Sequence, residues 1–262
     1  MKRLINHPFH LVDTSPWPIV ISINLMSLMV GILQWMQMMD KTLLMMSLTP
    51  LLLTMFQWWR DINRESTYQG KHTIQVQIGL KLGMMLFILS EIMFFLSFFW
   101  SYFHASLSPS HESGLIWPPT SIITFDPMSM PLLNTMILLC SGMTITWSHF
   151  NMISNNMMSS QNNLLITILL GMYFTTIQMY EYFQAPFSLS DGIYGSVFFM
   201  MTGFHGFHVI IGTCFLITCW MQLKAKHLTH THHLGFELCA WYWHFVDIVW
   251  LMLFVSIYWW GK

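Results

Sequence analysis

The chain has 262 residues, of which 55% are apolar, 16% aromatic and only 8% Asp, Glu, Lys or Arg. Soluble domains carry about 25% charged residues, so this composition excludes an ordinary water-soluble protein. Ten basic and eleven acidic residues leave a net charge of -1. That balance argues against the broad basic surface that binds nucleic acid. At about 20 residues per crossing, the apolar content suffices for about seven transmembrane helices and no separate soluble domain.

Apolar runs separated by polar or proline-rich breaks predict an all-α integral membrane protein, with one transmembrane domain over 1–262. Trp17 and Trp35 bracket the first run, and Trp58 and Trp59 end the second, as expected of aromatic rings at the headgroup level. The seven predicted spans are 16–37, 42–59, 73–107, 129–150, 164–183, 192–223 and 235–260.

Basic residues are divided unequally between the two ends of these spans. One side has Lys41 and Lys262, and the other has Lys2, Arg3, Arg60, Arg64, Lys71, Lys224 and Lys226. The positive-inside rule therefore places the N-terminus on the side of protein synthesis and the C-terminus opposite. Lys81 lies within the third span, and we expect its side chain to reach back to the basic side.

Glu91 lies near the middle of the apolar part of the third span. A bare carboxylate there costs a few kcal/mol, so we expect Glu91 to be protonated, paired, or facing a cleft that contains water or lipid headgroups. Lys81 is about 15 Å away along the helix and is not its partner. Two interpretations stay open: proton handling or helix packing, and a hydrogen-bonded structural carboxyl.

Histidines raise the question of a metal site. His205 and His208 lie one turn apart in the sixth span, and His244 and Asp247 repeat that spacing in the seventh. Such pairs could hold a metal or relay protons, but histidines in a helix bundle more often hydrogen-bond across a helix contact. The loop between these spans adds His227, His230, His232 and His233. We expect no metal site on this chain.

Two other functional classes are alternatives. A membrane di-iron oxygenase would need several histidine clusters at one face, but His208 and His227 should be about 25 Å apart at 1.5 Å per helical residue. A stand-alone proton-coupled transporter could use Glu91 as its proton site. The chain lacks the inverted repeat and the broken helices that many transporters show.

The polar segment 60–72 mixes both charges beside Trp58 and Trp59. Bases next to interfacial tryptophans suit a phospholipid headgroup, whereas Asp61 and Glu65 could instead neutralise those bases. Lys224 and Lys226, after the sixth span, offer a second lipid site.

Longer motifs then follow one another along the whole chain. They include Ser15-Pro16-Trp17-Pro18, Gln57-Trp58-Trp59-Arg60-Asp61, Leu86-Phe87-Ile88-Leu89-Ser90-Glu91, Trp117-Pro118-Pro119, Gly203-Phe204-His205-Gly206 and Ala240-Trp241-Tyr242-Trp243-His244-Phe245-Val246-Asp247. In this order they resemble the mitochondrially encoded cytochrome c oxidase subunit III family. The resemblance implies seven helices in which the first two (16–59) stand apart from the other five (73–260), around a V-shaped cleft filled with phospholipid.

The resemblance also implies a role. It is that of a non-catalytic core subunit of complex IV, in the mitochondrial inner membrane with its N-terminus in the matrix and its C-terminus in the intermembrane space. Haem a and copper are then held by subunits I and II and not by this chain, and nuclear-encoded subunits are further partners. The subunit would stabilise the catalytic core, hold phospholipids and support proton uptake.

Individual positions match the family's motifs. Glu91 matches the family's buried glutamate, while Trp59, Arg64, Glu65 and His72 match positions that line the lipid cleft. The chain departs from the family at Met221 and Lys81, where arginine is usual.

Overall fold

The computed structural model of the chain describes residues 8–111 and 114–261. Lys2, Arg3 and Lys262, which entered the charge comparison, lie outside these residues. Within the described part, the chain is helical and forms no strand. The α-helices are α1 (Trp17–Met38), α2 (Thr42–Thr67), α3 (Ile74–Leu107), α4 (Met130–Ile153), α5 (Met157–Gln184), α6 (Gly192–Lys224) and α7 (Leu234–Leu253), and α7 continues as a π-helical segment, Phe254–Trp259.

Two helix boundaries differ from the apolar runs. α2 continues eight residues past the predicted end at 59, because polar residues such as Asp61 and Arg64 still pair one turn apart, with Oδ1 and Nη1 3.5 Å from each other. α5 begins at Met157 instead of 164, since the Asn156 side chain accepts a hydrogen bond from the Ser159 N–H and caps the helix. Capping and side-chain pairing set these ends, and the edge of the apolar run does not.

Six helices in the described part of the chain are long and apolar enough to cross a membrane: α1, α3, α4, α5, α6 and α7 with its π-helical end. α2 is a helix of 26 residues but is not among them. Polar residues within it, including Thr49, Thr54 and Gln57, lower its hydropathy. The chain is therefore a multi-pass helical membrane protein.

The chain forms two compact units, Met1–Leu80 and Lys81–Lys262. In the first unit, α1 packs closely against the start of α2. Gly31 makes this approach possible, because a Cβ at that position would lie 2.8 Å from the backbone nitrogen of Leu44. At the other end of the helix pair, the Trp17 indole N–H donates to Asp61 Oδ2 at 2.8 Å.

In the second unit, α7 packs against α4 and α6, and its two fully buried tryptophans, Trp243 and Trp250, also meet α5 at Gly171 and Phe174. The Trp243 indole donates to Ser141 Oγ at 2.9 Å, and the Trp250 indole donates to Thr135 Oγ1 at 3.0 Å. Both hydroxyls belong to α4, so these hydrogen bonds fix the rotation of α7 about its own axis and its position along α4. Small residues in α5 and α6 leave room for the Trp243 ring, as is typical of helix contacts in membranes.

Candidate functional site

A carboxyl and an imidazole pair inside the second unit. Glu91 Oε2 of α3 lies 2.9 Å from His208 Nε2 of α6. His208 Nδ1 lies 2.7 Å from the carbonyl oxygen of Phe204. A carbonyl only accepts, so Nδ1 carries a proton. The hydrogen bond between Glu91 and His208 then requires one further proton, which belongs either to the carboxyl or to Nε2.

This pair lines a cavity of about 450 Å³. Apart from the pair, the cavity wall is apolar and aromatic, and it consists of Met84, Phe87, Phe94, Phe204, Phe207, Ile211, Phe215 and Tyr242. The side chains of Glu91 and His208 remain 23% and 10% exposed. Of the states expected for Glu91, the structure shows a paired carboxyl at the edge of an apolar cavity.

His205 behaves differently from His208, although the two lie one turn apart. Its ring is completely buried between Phe174 and Trp250, with ring centroids 5.7 and 5.2 Å away. Neither ring nitrogen has a hydrogen-bond partner among the described residues. The hydrogen bond across the helix contact that we expected for His205 is therefore not found, because the ring occupies a place in an aromatic stack.

His244 and Asp247 both approach α4 at Gly142. A Cβ on that glycine would lie 3.2 Å from Asp247 Oδ2 and 3.7 Å from His244 Nδ1. Asp247 is buried, and its Oδ1 lacks a hydrogen-bond partner among the residues that the structure describes. The pair therefore lies at a close contact between α4 and α7.

Lys81 and one of the loop histidines, His233, have partners that the sequence did not indicate. Lys81 Nζ lies 2.5 Å from Glu237 Oε2 in the first turn of α7. The other oxygen of Glu237 lies 3.4 Å from His233 Nε2, and His233 Nε2 lies 3.3 Å from His149 Nε2 of α4. Of the four loop histidines, His233 alone belongs to this cluster.

The polar end of the first unit is held by pairs of opposite charge. Asp61 interacts with Arg60 at 3.3 Å and with Arg64 at 3.5 Å. The indole N–H donated by Trp17 lowers the pKa of Asp61, as do both arginines, whereas burial acts in the opposite direction. The alternative that acidic residues neutralise these bases is thus the arrangement found for Asp61.

The other predicted lipid-site residues of this unit lie nearby in the chain. Glu65 Oε2 lies 2.9 Å from His10 Nε2, and the ring of His10 meets that of His72 edge to face at 5.9 Å. Trp58 is half-buried and Trp59 is 55% exposed. The Arg64 side chain is 56% exposed, so most of its donors remain accessible.

The second predicted lipid site follows α6. Lys224 Nζ lies 5.2 Å from the centre of the Trp220 ring, a cation–π contact. Lys226 lies two residues after the end of α6, with a φ of 58°. Both lysines are exposed.

Sequence reasoning did not single out a second buried carboxyl, Glu181. It is 2% exposed, and the Tyr258 hydroxyl donates to its Oε1 at 2.6 Å. Asn134 and Gln178 are also buried, and Asn134 Nδ2 donates to Gln178 Oε1 at 3.3 Å. The argument applied to Glu91, a carboxyl within an apolar run, would also have indicated Glu181.

Comparison with known proteins places these features in a family. A family model described as cytochrome c oxidase subunit III matches residues 7–262. The chain is 55% identical over 262 residues to cytochrome c oxidase subunit 3 of Aedes aegypti, with both chains completely covered. It is also 55% identical over 261 residues to cytochrome c oxidase subunit 3 of Drosophila melanogaster, again with complete coverage.

A mammalian relative is nearly as similar. The chain is 53% identical over 256 residues to cytochrome c oxidase subunit 3 of Loxodonta africana, with 98% of each chain covered. Identity at this level over the whole length confirms the resemblance that the motifs indicated. The chain belongs to the cytochrome c oxidase subunit III family.

Proposed function

We propose that this chain serves cytochrome c oxidase as a non-catalytic subunit that stabilises the catalytic core, holds phospholipid and supports proton uptake. Family membership makes it a subunit of that complex, complex IV, and so a partner of the complex's other subunits. Membership also favours this function over a stand-alone transporter or a membrane oxygenase. In this proposal subunits I and II carry haem a and copper, and nuclear-encoded subunits complete the surroundings.

The proposed setting is the mitochondrial inner membrane, with the N-terminus in the matrix and the C-terminus in the intermembrane space. The excess of bases at one end of the predicted spans supports this orientation. We further propose that the first two helices stand apart from the other five around a V-shaped cleft filled with lipid, as the family resemblance implies.

The hydrogen bond between Glu91 and His208 carries the proton-related part of the proposal. His208 Nδ1 donates its proton to the Phe204 carbonyl. The Glu91–His208 pair therefore shares one further proton, which lies on Glu91 Oε2 or on His208 Nε2, and these two atoms are 2.9 Å apart. The proton can change its owner without a change in the net charge of the pair. Such a pair, at the edge of an apolar cavity, suits a group that takes up and passes on single protons.

The Glu91→Gln variant tests this role. Glutamine can donate to His208 Nε2 and so keeps the contact, but it cannot bind or release a proton. We expect assembly to be retained, with a stability change below about 1 kcal/mol, the net worth of one hydrogen bond. We expect fewer protons to be pumped per electron when the complex is reconstituted in vesicles.

Ser90→Ala is the matched control, because Ser90 is the neighbouring exposed residue and donates only to the Phe87 carbonyl of its own helix. Normal proton pumping is expected for it. Unchanged assembly together with unchanged pumping in Glu91→Gln would show that Glu91 is a structural carboxyl only.

The proposed lipid contact rests on side chains that remain exposed after the internal pairs are made. Arg64 offers guanidinium donors from a side chain that is 56% exposed, and Trp59 of the same helix is 55% exposed. Lys224 and Lys226 are exposed at the end of α6. A cationic donor next to an interfacial tryptophan suits the phosphate and glycerol region of an anionic phospholipid.

Arg64→Ala should weaken retention of one anionic phospholipid by about 1 kcal/mol, the typical contribution of one base at the membrane surface. Native mass spectrometry of the detergent-solubilised complex measures the number of lipids retained. Lys71→Ala serves as control, since the Lys71 ammonium group is paired with Asp13 Oδ2 at 2.5 Å and its side chain is only 23% exposed. Equal lipid retention in both variants would remove Arg64 from the lipid site.

A further inference from the structure

Three side chains that could ligate a metal converge at one end of the second unit. His149 comes from the last turns of α4, His233 directly precedes α7, and Glu237 lies in the first turn of α7. One ligand atom from each lies within 4.8 Å of the others. The chain separates His149 from His233 by 84 residues, so the fold and not a local motif brings them together.

The spacing of the ligand atoms suits a small tetrahedral ion. His149 Nε2 and His233 Nε2 are 3.3 Å apart, and His233 Nε2 and Glu237 Oε1 are 3.4 Å apart. Around a tetrahedral Zn²⁺ with bonds of about 2.0–2.1 Å, neighbouring ligand atoms lie about 3.3 Å from one another. Both distances are close to that value, and the third pair of ligand atoms, from His149 and Glu237, lies within 4.8 Å.

The hydrogen bonds around His233 leave an unfavourable contact if no cation is bound. His233 Nδ1 lies 3.1 Å from the Thr229 carbonyl and therefore donates to it. In the neutral ring, Nε2 then presents a lone pair towards the carboxylate of Glu237. A proton on Nε2 would satisfy one neighbour, Glu237 or His149, whereas a metal ion would satisfy all three groups together.

The surroundings also orient the ligands. The Thr229 carbonyl fixes the tautomer of His233, as is typical of metal-bound histidines. Lys81 binds Glu237 Oε2 at 2.5 Å and leaves Oε1 to face the two imidazoles. The His149 ring lies against Phe236, with centroids 5.6 Å apart. Glu237 is 23% exposed at its side chain, which gives an ion a route to the cluster.

We propose that His149, His233 and Glu237 bind a divalent transition metal ion, and that Zn²⁺ is the ion they fit best. Two imidazoles and one carboxylate are a common zinc ligand set, with a fourth position left for water. The ion would join the end of α4 to the start of α7. From the sequence we expected no metal site on this chain, and this proposal departs from that expectation. The proposed site is separate from the Glu91–His208 pair.

Metal titration of the full-length chain in lipid nanodiscs tests the proposal. The probe is Zn²⁺ alone, measured by competition with a chromophoric chelator, and Co²⁺ reports the geometry through its visible spectrum. We expect one Zn²⁺ per chain, a tetrahedral Co²⁺ spectrum, and a higher Tm with Zn²⁺. His149→Gln and His233→Gln should each weaken binding at least about tenfold, because changes to the support of a metal site already cost that much.

His230→Gln is the matched control, since His230 lies in the same loop, is exposed and is outside the cluster. It should bind Zn²⁺ as the parent chain does. Absence of saturable binding in the parent, or equal binding in the parent and the His149→Gln and His233→Gln variants, would overturn the proposal.

X-ray absorption of the Zn²⁺-loaded parent keeps the proposal testable if a variant does not fold. Nitrogen and oxygen ligands at about 2.0–2.1 Å, with imidazole scattering, are expected. Sulfur ligands at about 2.3 Å would place the ion at cysteines and contradict the proposed site.

Discussion

Replacing Gly171 or Gly212 with alanine is expected to destabilise the second unit by about 1–3 kcal/mol each, the usual cost of overpacking a dense core. A Cβ on Gly171 would lie 2.6 Å from Thr213 Cγ2 and 2.7 Å from Trp243 Cη2. A Cβ on Gly212 would lie 2.9 Å from Trp243 Cε3. Trp243 is 1% exposed and is held by its hydrogen bond to Ser141, so its rigid ring cannot move aside.

Gly203→Ala and Gly206→Ala are matched controls on α6, because nothing lies within 4 Å of the Cβ that each would gain. These controls should keep the stability of the parent. Thermal unfolding of the full chain in detergent, followed by circular dichroism, gives the comparison. Equal Tm values for Gly212→Ala and Gly206→Ala would show that the contact between α6 and Trp243 is not tight.

Tyr258→Phe is expected to lower the free energy of unfolding by about 2 kcal/mol. The Tyr258 hydroxyl is the donor to Glu181 Oε1, and Glu181 Oε2 has no hydrogen-bond partner among the described residues. Phenylalanine keeps the ring but removes that donor. A buried acceptor left without its partner costs about 1–3 kcal/mol, and more if it is charged.

A second substitution distinguishes the hydrogen bond from ring packing. Glu181→Leu removes the acceptor, so Tyr258→Phe should cost much less in the Glu181→Leu background, since replacing both partners by apolar groups can be nearly neutral. Tyr173→Phe, at an exposed tyrosine of α5, is the control and should leave Tm unchanged. Additive losses in the double variant would contradict the proposed dependence on the hydrogen bond.

The existence of the helices could be predicted from the sequence, but some of their ends and the rotation of each helix about its axis could not. The run at 73–107 predicts α3 to within one residue, because apolar length alone specifies a membrane helix. The end of α2 depends on ion pairs and the start of α5 on a cap, and apolarity reports neither. Helices that are apolar on nearly all faces also give no periodic signal for the face that meets a neighbour.

The candidate sites, like the helices, could be predicted only in part from the sequence. A partner for Glu91 could be expected from the cost of an isolated carboxylate, but His208 could not be chosen over His205 without knowing how α6 is rotated. The cluster of His149, His233 and Glu237 was missed for a related reason. It depends on which helix ends meet, and His149 lies far from the histidine-rich loop in the chain.

The short distance between Glu91 Oε2 and His208 Nε2 determines how the pair responds to voltage. A proton transferred between two atoms 2.9 Å apart moves less than that distance, so it crosses less than about a tenth of a hydrocarbon core of about 30 Å. A whole charge gains about 2.3 kcal/mol per 100 mV when it crosses the entire membrane, so this transfer gains at most about 0.2 kcal/mol. That energy is below thermal energy. The position of the proton is therefore governed by the polarity of the cavity next to it, and a change in membrane potential hardly moves it.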